Sequence, residues 1–321
     1  MNPILQIIIG NQYSPYLNLS VESFLLDTEK ENTVTMFLWK NHKTVVIGTN
    51  QNPYSECDVN TLLAEGGHLA RRRTGGGAVY HDLGNINFSF IAAKKLYDVK
   101  KQMSVIQRAL QYFGLETEIS GRNDITYQNR KFSGNAFAFT KSQGLHHGTI
   151  LIRTDDVYMQ KYLKVNPAKL QKHGVKSVTS RIINLSEVCD ITSDNIIPYL
   201  ILSFKEIYNN DVVTLDFNYL CNNDVISNSK ILASDKYLYG KWKDFHTKKS
   251  AQYEWGWLDM DINIDESTGT ISHLALASDS LQPEAINEAQ NLLLNASTKM
   301  PPPVPDSRYK NIIEDIFKLV Y

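Results

Sequence analysis

Hydrophobic positions in the first half of the chain come in short runs, and only two stretches keep the spacing of a helix face. Ile4–Ile9 is a nearly continuous apolar run and predicts an opening strand. Leu17, Val21, Phe24 and Leu25 recur at helical spacing and predict a helix over residues 16–27. Residues 34–39 and 44–47 predict strands, separated by the turn-like Lys40-Asn41-His42. A largely apolar stretch predicts a strand at 87–92, and Val105, Ala109, Leu110 and Phe113 mark a second helix that Gly114 ends. Short strands are predicted around 117–119, 125–128, 131–139 and 147–152. Strands of this length, with helices gathered between them, predict an α+β sheet layer rather than a regular βαβ alternation.

Helical spacing returns over residues 196–208. From 222 to 249 the chain turns polar and basic, ending in Lys248-Lys249-Ser250, which predicts the approach to a linker and a domain boundary near His246. Beyond it, Tyr253 to Asp265 alternates like a strand pair and 271–277 predicts a further strand. Helices are predicted at 283–294 and 307–320, with the stiff proline-rich segment 300–305 between them. A prior of about 100–200 residues per domain gives two domains for a chain of 321 residues, here 1–246 and 247–321.

Composition adds limits. With 42% hydrophobic residues the chain can fill both cores. Its 33 Lys+Arg against 34 Asp+Glu leave a formal net charge of -1, so nothing global draws it to nucleic acid and any attraction for anions is local. Ile4–Ile9 is too short for a membrane span and no basic residue precedes it, so neither a membrane segment nor a secretory leader is predicted. The scattered Cys57, Cys189 and Cys221 form no C-x-x-C pair, indicate neither a disulfide framework nor a zinc site, and fit a cytoplasmic location.

The local cationic feature is RRRTGGGAVYHDLGN, from Arg71 to Asn85. Gly75, Gly76 and Gly77 let the backbone turn sharply and approach a ligand, because no side chain stands in the way. Arginines before them can grip phosphate or carboxylate oxygens with paired donors. A glycine hinge leading into an edge strand would have the same spacing. The run is neither a Walker A loop, which closes in Gly-Lys-Ser/Thr, nor a G-x-G-x-x-G fingerprint.

In its order of arginine pair, triple glycine, Ala-Val, aromatic residue and His-Asp-x-Gly-Asn, this run resembles the signature of the lipoate–protein ligase A family. Further segments resemble the same family: NQNPYSECD from Asn50, GRNDI from Gly121, RKFSGNAF from Arg130, LHHGTILI from Leu145 and SVTSRIINL from Ser177. They keep the family's order over roughly the first two hundred residues, and the tail, with Asp279-Ser280-Leu281 before a helix, resembles the accessory domain of the longer bacterial ligases. The resemblance implies a mixed-sheet α+β catalytic domain of the biotin/lipoate-ligase type and a small α+β C-terminal accessory domain. It also implies ATP, Mg²⁺ and lipoate as ligands, with lipoyl domains of 2-oxoacid dehydrogenase E2 subunits or the glycine-cleavage H protein as acceptors.

Joining a carboxylate to a lysine amine needs activation, and both steps through an acyl-adenylate gather negative charge at one point, which calls for fixed cationic and N–H donors. The resemblance gives the catalytic role to Lys131 and the nucleotide-binding role to Arg72, Gly75, Gly76, Gly77, Ala78, Val79 and Tyr80, with Lys131 and Asp124 also on the adenylate. Asp124 is the candidate for holding Mg²⁺. His81, Asn85, Ser133, Gly134, His147, Thr149 and Arg181 are candidate substrate contacts, and residues 177–181 are expected to close over the adenylate and shield it from water. His146 and His147 are neighbours, so on a strand only one faces the site, and His147 is the expected one. An ATP-independent transferase of the same fold would use a cysteine nucleophile near the lysine motif, and no cysteine occurs from Lys131 to Ile152. A biotin ligase would show a Gly-Arg-Gly-Arg-type loop instead of RRRTGGG. A binding-only relative stays open.

Overall fold

The computed structural model describes residues 3–28, 30–121, 123–164, 182–240, 247–265 and 268–321. The chain divides into two compact units, the first made of Met1–Val46, Cys57–Ala70 and Val79–Ala233, the second of Ile47–Glu56, Arg71–Ala78 and Ser234–Tyr321.

The first stretch of chain runs β1 (Ile4–Ile9), α1 (Pro15–Asp27), β2 (Thr33–Trp39), β3 (Thr44–Ile47), α2 (Val59–Ala64), β4 (His68–Arg71), β5 (Val79–His81) and β6 (Asn85–Ala93). It continues with α3 (Val99–Gln111), β7 (Glu118–Ser120), β8 (Asp124–Tyr127), β9 (Arg130–Phe139), β10 (Gln143–Leu151), α4 (Asp156–Tyr162), α5 (Ile197–Tyr208), β11 (Val212–Leu215) and α6 (Asn223–Leu232). Local chemistry starts the helices: Ser14 Oγ accepts from Leu17 N–H with Pro15 at the first turn of α1, and Asp98 caps α3 through Lys101 N–H.

An eight-stranded sheet of order β11-β1-β2-β6-β10-β9-β8-β7 forms the frame of the first unit, and a smaller sheet has order β4-β3-β5. The large sheet is mixed: β1 pairs in parallel with β2 and β11, and β2, β6, β10, β9, β8 and β7 pair antiparallel in turn. Alternation along the strands sets two faces. Phe88 and Phe90 of β6, Ile125 of β8, Phe132 of β9 and Ile150 of β10 enter one core with Ile106 and Leu110 of α3 and Phe204 of α5. Ser89, His147 and Ala136 are cross-strand neighbours on the opposite face, where α1 packs on β6 and β10.

A bulge interrupts β9: Thr126 pairs with Lys131 but Ile125 pairs with Ser133, leaving Phe132 as the extra residue. Phe132 stays in the core while Lys131 and Gly134 come onto the same, opposite face. In a regular strand Lys131 would share its face with Ser133 instead.

The second unit holds α7 (Asp235–Tyr239) and a three-stranded antiparallel sheet of β12 (Thr247–Tyr253), β13 (Gly256–Asp265) and β14 (Thr270–Ser278). Helices α8 (Pro283–Leu293) and α9 (Lys310–Val320) cover it, burying Leu258, Met260, Leu276, Ile286, Ile313 and Ile316 in one core.

Most predicted elements are present within a few residues, and the α+β class holds. Within the polar stretch 222–249 the described residues differ: Asn223–Leu232 and Asp235–Tyr239 form α6 and α7, and Lys248-Lys249-Ser250 lies within β12. Helix α6 buries only Val225 and Leu232 and starts from Asn222 capping Val225 N–H, so its apolar stripe is too narrow to read as periodicity. The predicted boundary at His246 lies outside the described residues. Strands β4 and β11 were not expected from pattern, whereas β5 is the strand into which the glycine run leads. Among the described residues no helix is long and apolar enough to cross a membrane.

Candidate functional site

Lys131 lies at the start of β9, and its Nζ meets Asp124 Oδ1 of β8 at 2.7 Å. Both side chains keep partial access to solvent, 37% and 27%. Asp124 is the cross-strand partner of Gly134, and a Cβ built on Gly134 would stand 2.9 Å from Lys131 Nζ. The lysine therefore reaches across the strand through space that only a glycine leaves. The Lys131 backbone is fixed as well, since its carbonyl accepts from Ile183 N–H at 3.0 Å.

Thr149 of β10 stands beside this group, its Oγ1 accepting from Gly134 N–H at 3.3 Å. Ser133 is fully buried, and its Oγ accepts from Asn135 Nδ2 at 3.3 Å. Thus Lys131, Asp124, Gly134 and Thr149 form one cluster on β8, β9 and β10, whereas Ser133, paired with Ile125, lies on the core face beside Asn135 and is not brought to Lys131.

The adjacent histidines take opposite faces. His146 is enclosed by Phe88, Phe90 and Phe137, and burial pushes its pKa down to about 3, so the ring is neutral near neutral pH. Asn135 gives its NH₂ group to the Asn123 carbonyl at 3.0 Å and so turns Oδ1 to His146 Nε2 at 2.8 Å. On the other side of the ring His146 Nδ1 lies 2.9 Å from Gln102 Oε1. His147 is on the same face as Lys131, with Nδ1 2.8 Å from Glu22 Oε2 of α1. That oxygen also accepts from Ser89 Oγ at 2.5 Å, and Ser89 in turn accepts from Trp39 Nε1 at 3.0 Å.

The residues after the glycines are less open. Tyr80 is buried in β5 with its ring against Tyr162. His81 is buried too, its Nδ1 3.2 Å from Asn41 Nδ2. Asp82 closes a turn by accepting from Gly84 N–H at 2.9 Å and Asp155 N–H at 2.8 Å. Asn85 is fully buried, donates to Asn87 Oδ1 at 2.9 Å, and leaves its own Oδ1 without a hydrogen-bond partner among the described residues. A ligand donor or a water can satisfy that oxygen.

The glycine loop is built within the second unit. Arg71 is buried and donates to the carbonyls of Gly48, Thr49, Gln51 and Leu238, which makes it a brace rather than a ligand contact. Burial without a carboxylate partner pulls its pKa down to about 10. Arg72 is also buried: Nε donates to Thr74 Oγ1 at 2.9 Å and Nη2 to the carbonyls of Gly75 and Gly77 at 2.7 Å each. Arg73 is half-buried.

The three glycines are there for three reasons. Gly75 is pressed on Ser280, whose carbonyl oxygen would lie 2.0 Å from an added Cβ. Gly76 has φ +88°, which favours glycine, and gives its N–H to the same Ser280 carbonyl at 3.0 Å. Gly77 is exposed, and a Cβ on it would meet nothing within 4 Å. Ala78 and Val79 follow, half-buried. The exposed residue of the loop is therefore its last glycine, with partial exposure continuing through the two residues after it.

Arg181, with the rest of 165–181 and Arg122, lies outside the described residues. The sequence reading missed Glu22 and Gln102, which carry no local signal, and gave no role to Asn135 and Ser280 although both lie in quoted motifs; each acquires its role from a partner distant in sequence.

Comparison with known proteins gives the family. Residues 14–205 match the model of the lipoyl protein ligase A/B catalytic domain. The lipoate-protein ligase A of Bdellovibrio bacteriovorus is 37% identical over 292 residues, covering 88% of this chain and 86% of that protein. Among solved structures, P. falciparum LipL1 in complex with lipoate superposes with a TM-score of 0.83 at 30% identity, covering 98% of each chain. A lipoate-protein ligase A bound with ATP gives 0.60 at 25% identity over 74% of this chain and 96% of that one. With its ordered motifs, its mixed sheet and relatives of this similarity, the chain belongs to the lipoate–protein ligase A family.

Proposed function

We propose that this protein is an ATP-dependent lipoate–protein ligase that converts free lipoate to lipoyl-AMP and then passes the lipoyl group to a lysine of a carrier domain. The observation that carries the reading is the Lys131 ammonium, held over Gly134 on a partly exposed sheet face with one carboxylate beside it. In the first step a lipoate carboxylate oxygen attacks the α-phosphorus of ATP, and the bond to the β-phosphate oxygen breaks, releasing pyrophosphate. In the second the acceptor amine attacks the acyl carbon, the bond to the AMP oxygen breaks, and the amine loses a proton. Lys131 offsets the repulsion between the two anions and stabilises the charge that develops in each step.

Arg72 and the segment from Gly75 to Tyr80 form the proposed nucleotide-binding loop, Arg72, Gly75 and Gly76 acting by holding its shape and Gly77 to Val79 by offering N–H groups to phosphate oxygens. His81, Asn85, Gly134, His147 and Thr149 are proposed substrate-side residues, and Arg181 belongs to the proposed closing segment. Asp124 fits Mg²⁺, which takes one or two carboxylates together with phosphate oxygens. No group of three or more His, Cys, Asp or Glu among the described residues could hold a metal, so phosphate oxygens and water would complete the ion's shell. When bound, the ion neutralises phosphate charge, and Asp124 would hold it. The proposed acceptors are lipoyl domains of 2-oxoacid dehydrogenase E2 subunits and the glycine-cleavage H protein, and residues 247–321 are the proposed accessory domain. A cytoplasmic setting fits three cysteines that form no disulfide among the described residues.

The transferase reading gains nothing from those cysteines. Cys57 is buried with its thiol pushed up to about 12, and burial also raises Cys189 and Cys221, whereas a nucleophile needs its thiolate. The deciding experiment is the intact mass of an apo lipoyl domain after incubation with this protein, lipoate and Mg²⁺, with and without ATP. A lipoyl mass gain only with ATP is the expected result. A gain from an acylated carrier without ATP would make the protein a transferase, and no gain from either donor would leave a binding-only relative.

A further inference from the structure

The chain from Ser278 to Pro283 is the corner between β14 and α8, and it touches the glycine loop and the segment before it at several points. Gly76 N–H donates to the Ser280 carbonyl at 3.0 Å, and Gly75 has no room for a side chain against the same oxygen. Ser278 N–H donates to the Asn50 carbonyl at 3.2 Å, and Asn50 Nδ2 donates to the Pro283 carbonyl at 3.0 Å. The loop and the Asn50 segment are joined directly as well, with Thr49 N–H donating to the Thr74 carbonyl at 2.9 Å. The corner is itself rigid: Ser280 N–H donates to Ser278 Oγ at 3.0 Å and Gln282 N–H to Ser280 Oγ at 3.1 Å. Asp279 Oδ1 accepts from Trp257 N–H at 2.7 Å, tying the corner to β13.

We infer that the Ser280 carbonyl is a positioning element for nucleotide binding. It occupies the Gly76 N–H and seats Gly75, so that the remaining loop, from Gly77 onward, is held in one conformation with its amides offered to phosphate oxygens. Two of the three glycines thus serve docking on the C-terminal corner, and only the third serves approach to the ligand. Preorganised donors bind without reorganising at the moment of contact, which is why a docked loop outperforms a loose one.

This inference rests on the proposed ligase reading, and the test separates the two. In Gly75→Ala the new Cβ collides with a backbone oxygen that cannot swing aside, so the loop leaves the corner. ATP affinity, measured by calorimetry on the full chain, falls by about ten-fold or more. Lipoate affinity stays within about two-fold, because its proposed contacts lie on the other unit. Amide hydrogen exchange rises in 72–78 and 278–283 together. Gly77→Ala, which meets nothing, leaves the exchange of both segments as in the wild type. Ser278→Ala, a milder change that frees only the Ser280 N–H, shifts ATP affinity and exchange in the same direction to a smaller extent. ATP affinity unchanged in Gly75→Ala, equal loss of both ligands, or exchange rising in one segment alone would overturn the inference. If the wild type itself takes up no ATP, the ligase reading fails, and joint or separate exchange then decides the docking by itself.

Discussion

Lys131 Nζ meets one carboxylate on a partly exposed sheet face, whereas Arg71 is buried with its guanidinium given to four backbone carbonyls. Both are cations in glycine-bearing motifs of the same sequence. Lys131 has one carboxylate partner and keeps access to solvent, so its remaining donors can be claimed by an arriving anion. Arg71 has its principal donors committed, and its charge is tolerated in the interior because carbonyl dipoles replace water. A motif charge can therefore be reactive or architectural, and what decides is the number of its donors the fold has already satisfied.

The sharpest way to break this contrast is Lys131→Ala. The expected loss is about 10²–10³ in lipoylation rate by intact-mass assay. Its thermal midpoint should stay near that of the wild type, since a half-exposed ion pair contributes little. Arg71→Ala should behave in the opposite way. It orphans carbonyls in the interior and lowers unfolding stability by about 3 kcal/mol in a denaturant titration. Equal stability of the two variants would erase the distinction between them. Gly134→Ala sharpens the picture of Lys131: a Cβ in its path displaces the ammonium, and the rate should fall about ten-fold with little change in stability. Wild-type turnover in that variant would mean that the observed lysine position is not the working one.

The smallest effect extends the comparison to the two faces of β10. His146 stays neutral in the folded chain down to about pH 3, while in the unfolded chain it takes a proton below about pH 6.5. The unfolded state then binds more protons, so this residue lowers stability as the pH falls through that window and has no effect above it. Between about pH 7 and pH 6 the loss should be under about 1 kcal/mol. His146→Gln should flatten the pH dependence of the thermal midpoint, and an unchanged slope would show that another group controls it.

The strand and helix pattern, the α+β class and the Lys131 motif were all legible because each depends on residues close together in the chain. The helices of the 222–249 stretch were not, since α6 has too few apolar residues to show a stripe and is held by packing, with Ser20 Oγ donating to the Val225 carbonyl at 2.7 Å. The resemblance singled out Arg72 and gave Arg71 no role, and only burial and carbonyl partners make Arg71 a brace and Arg72 a holder of the loop. The two histidines could be assigned to opposite faces from their adjacency, but Glu22 and Gln102 as their partners could not.

The sequence by itself determined that the chain carries short strands and amphipathic helices, a glycine turn with adjacent cations, and a lysine two residues before a Ser-Gly step. Those properties belong to side chains and their immediate spacing. Tertiary structure decided the rest: the bulge at Phe132 that puts Lys131 above Gly134, the burial that neutralises His146, and the Ser280 carbonyl that receives Gly75 and Gly76. Strand register, desolvation and backbone docking each depend on partners far away in the chain, and residue type and local spacing hold no record of them.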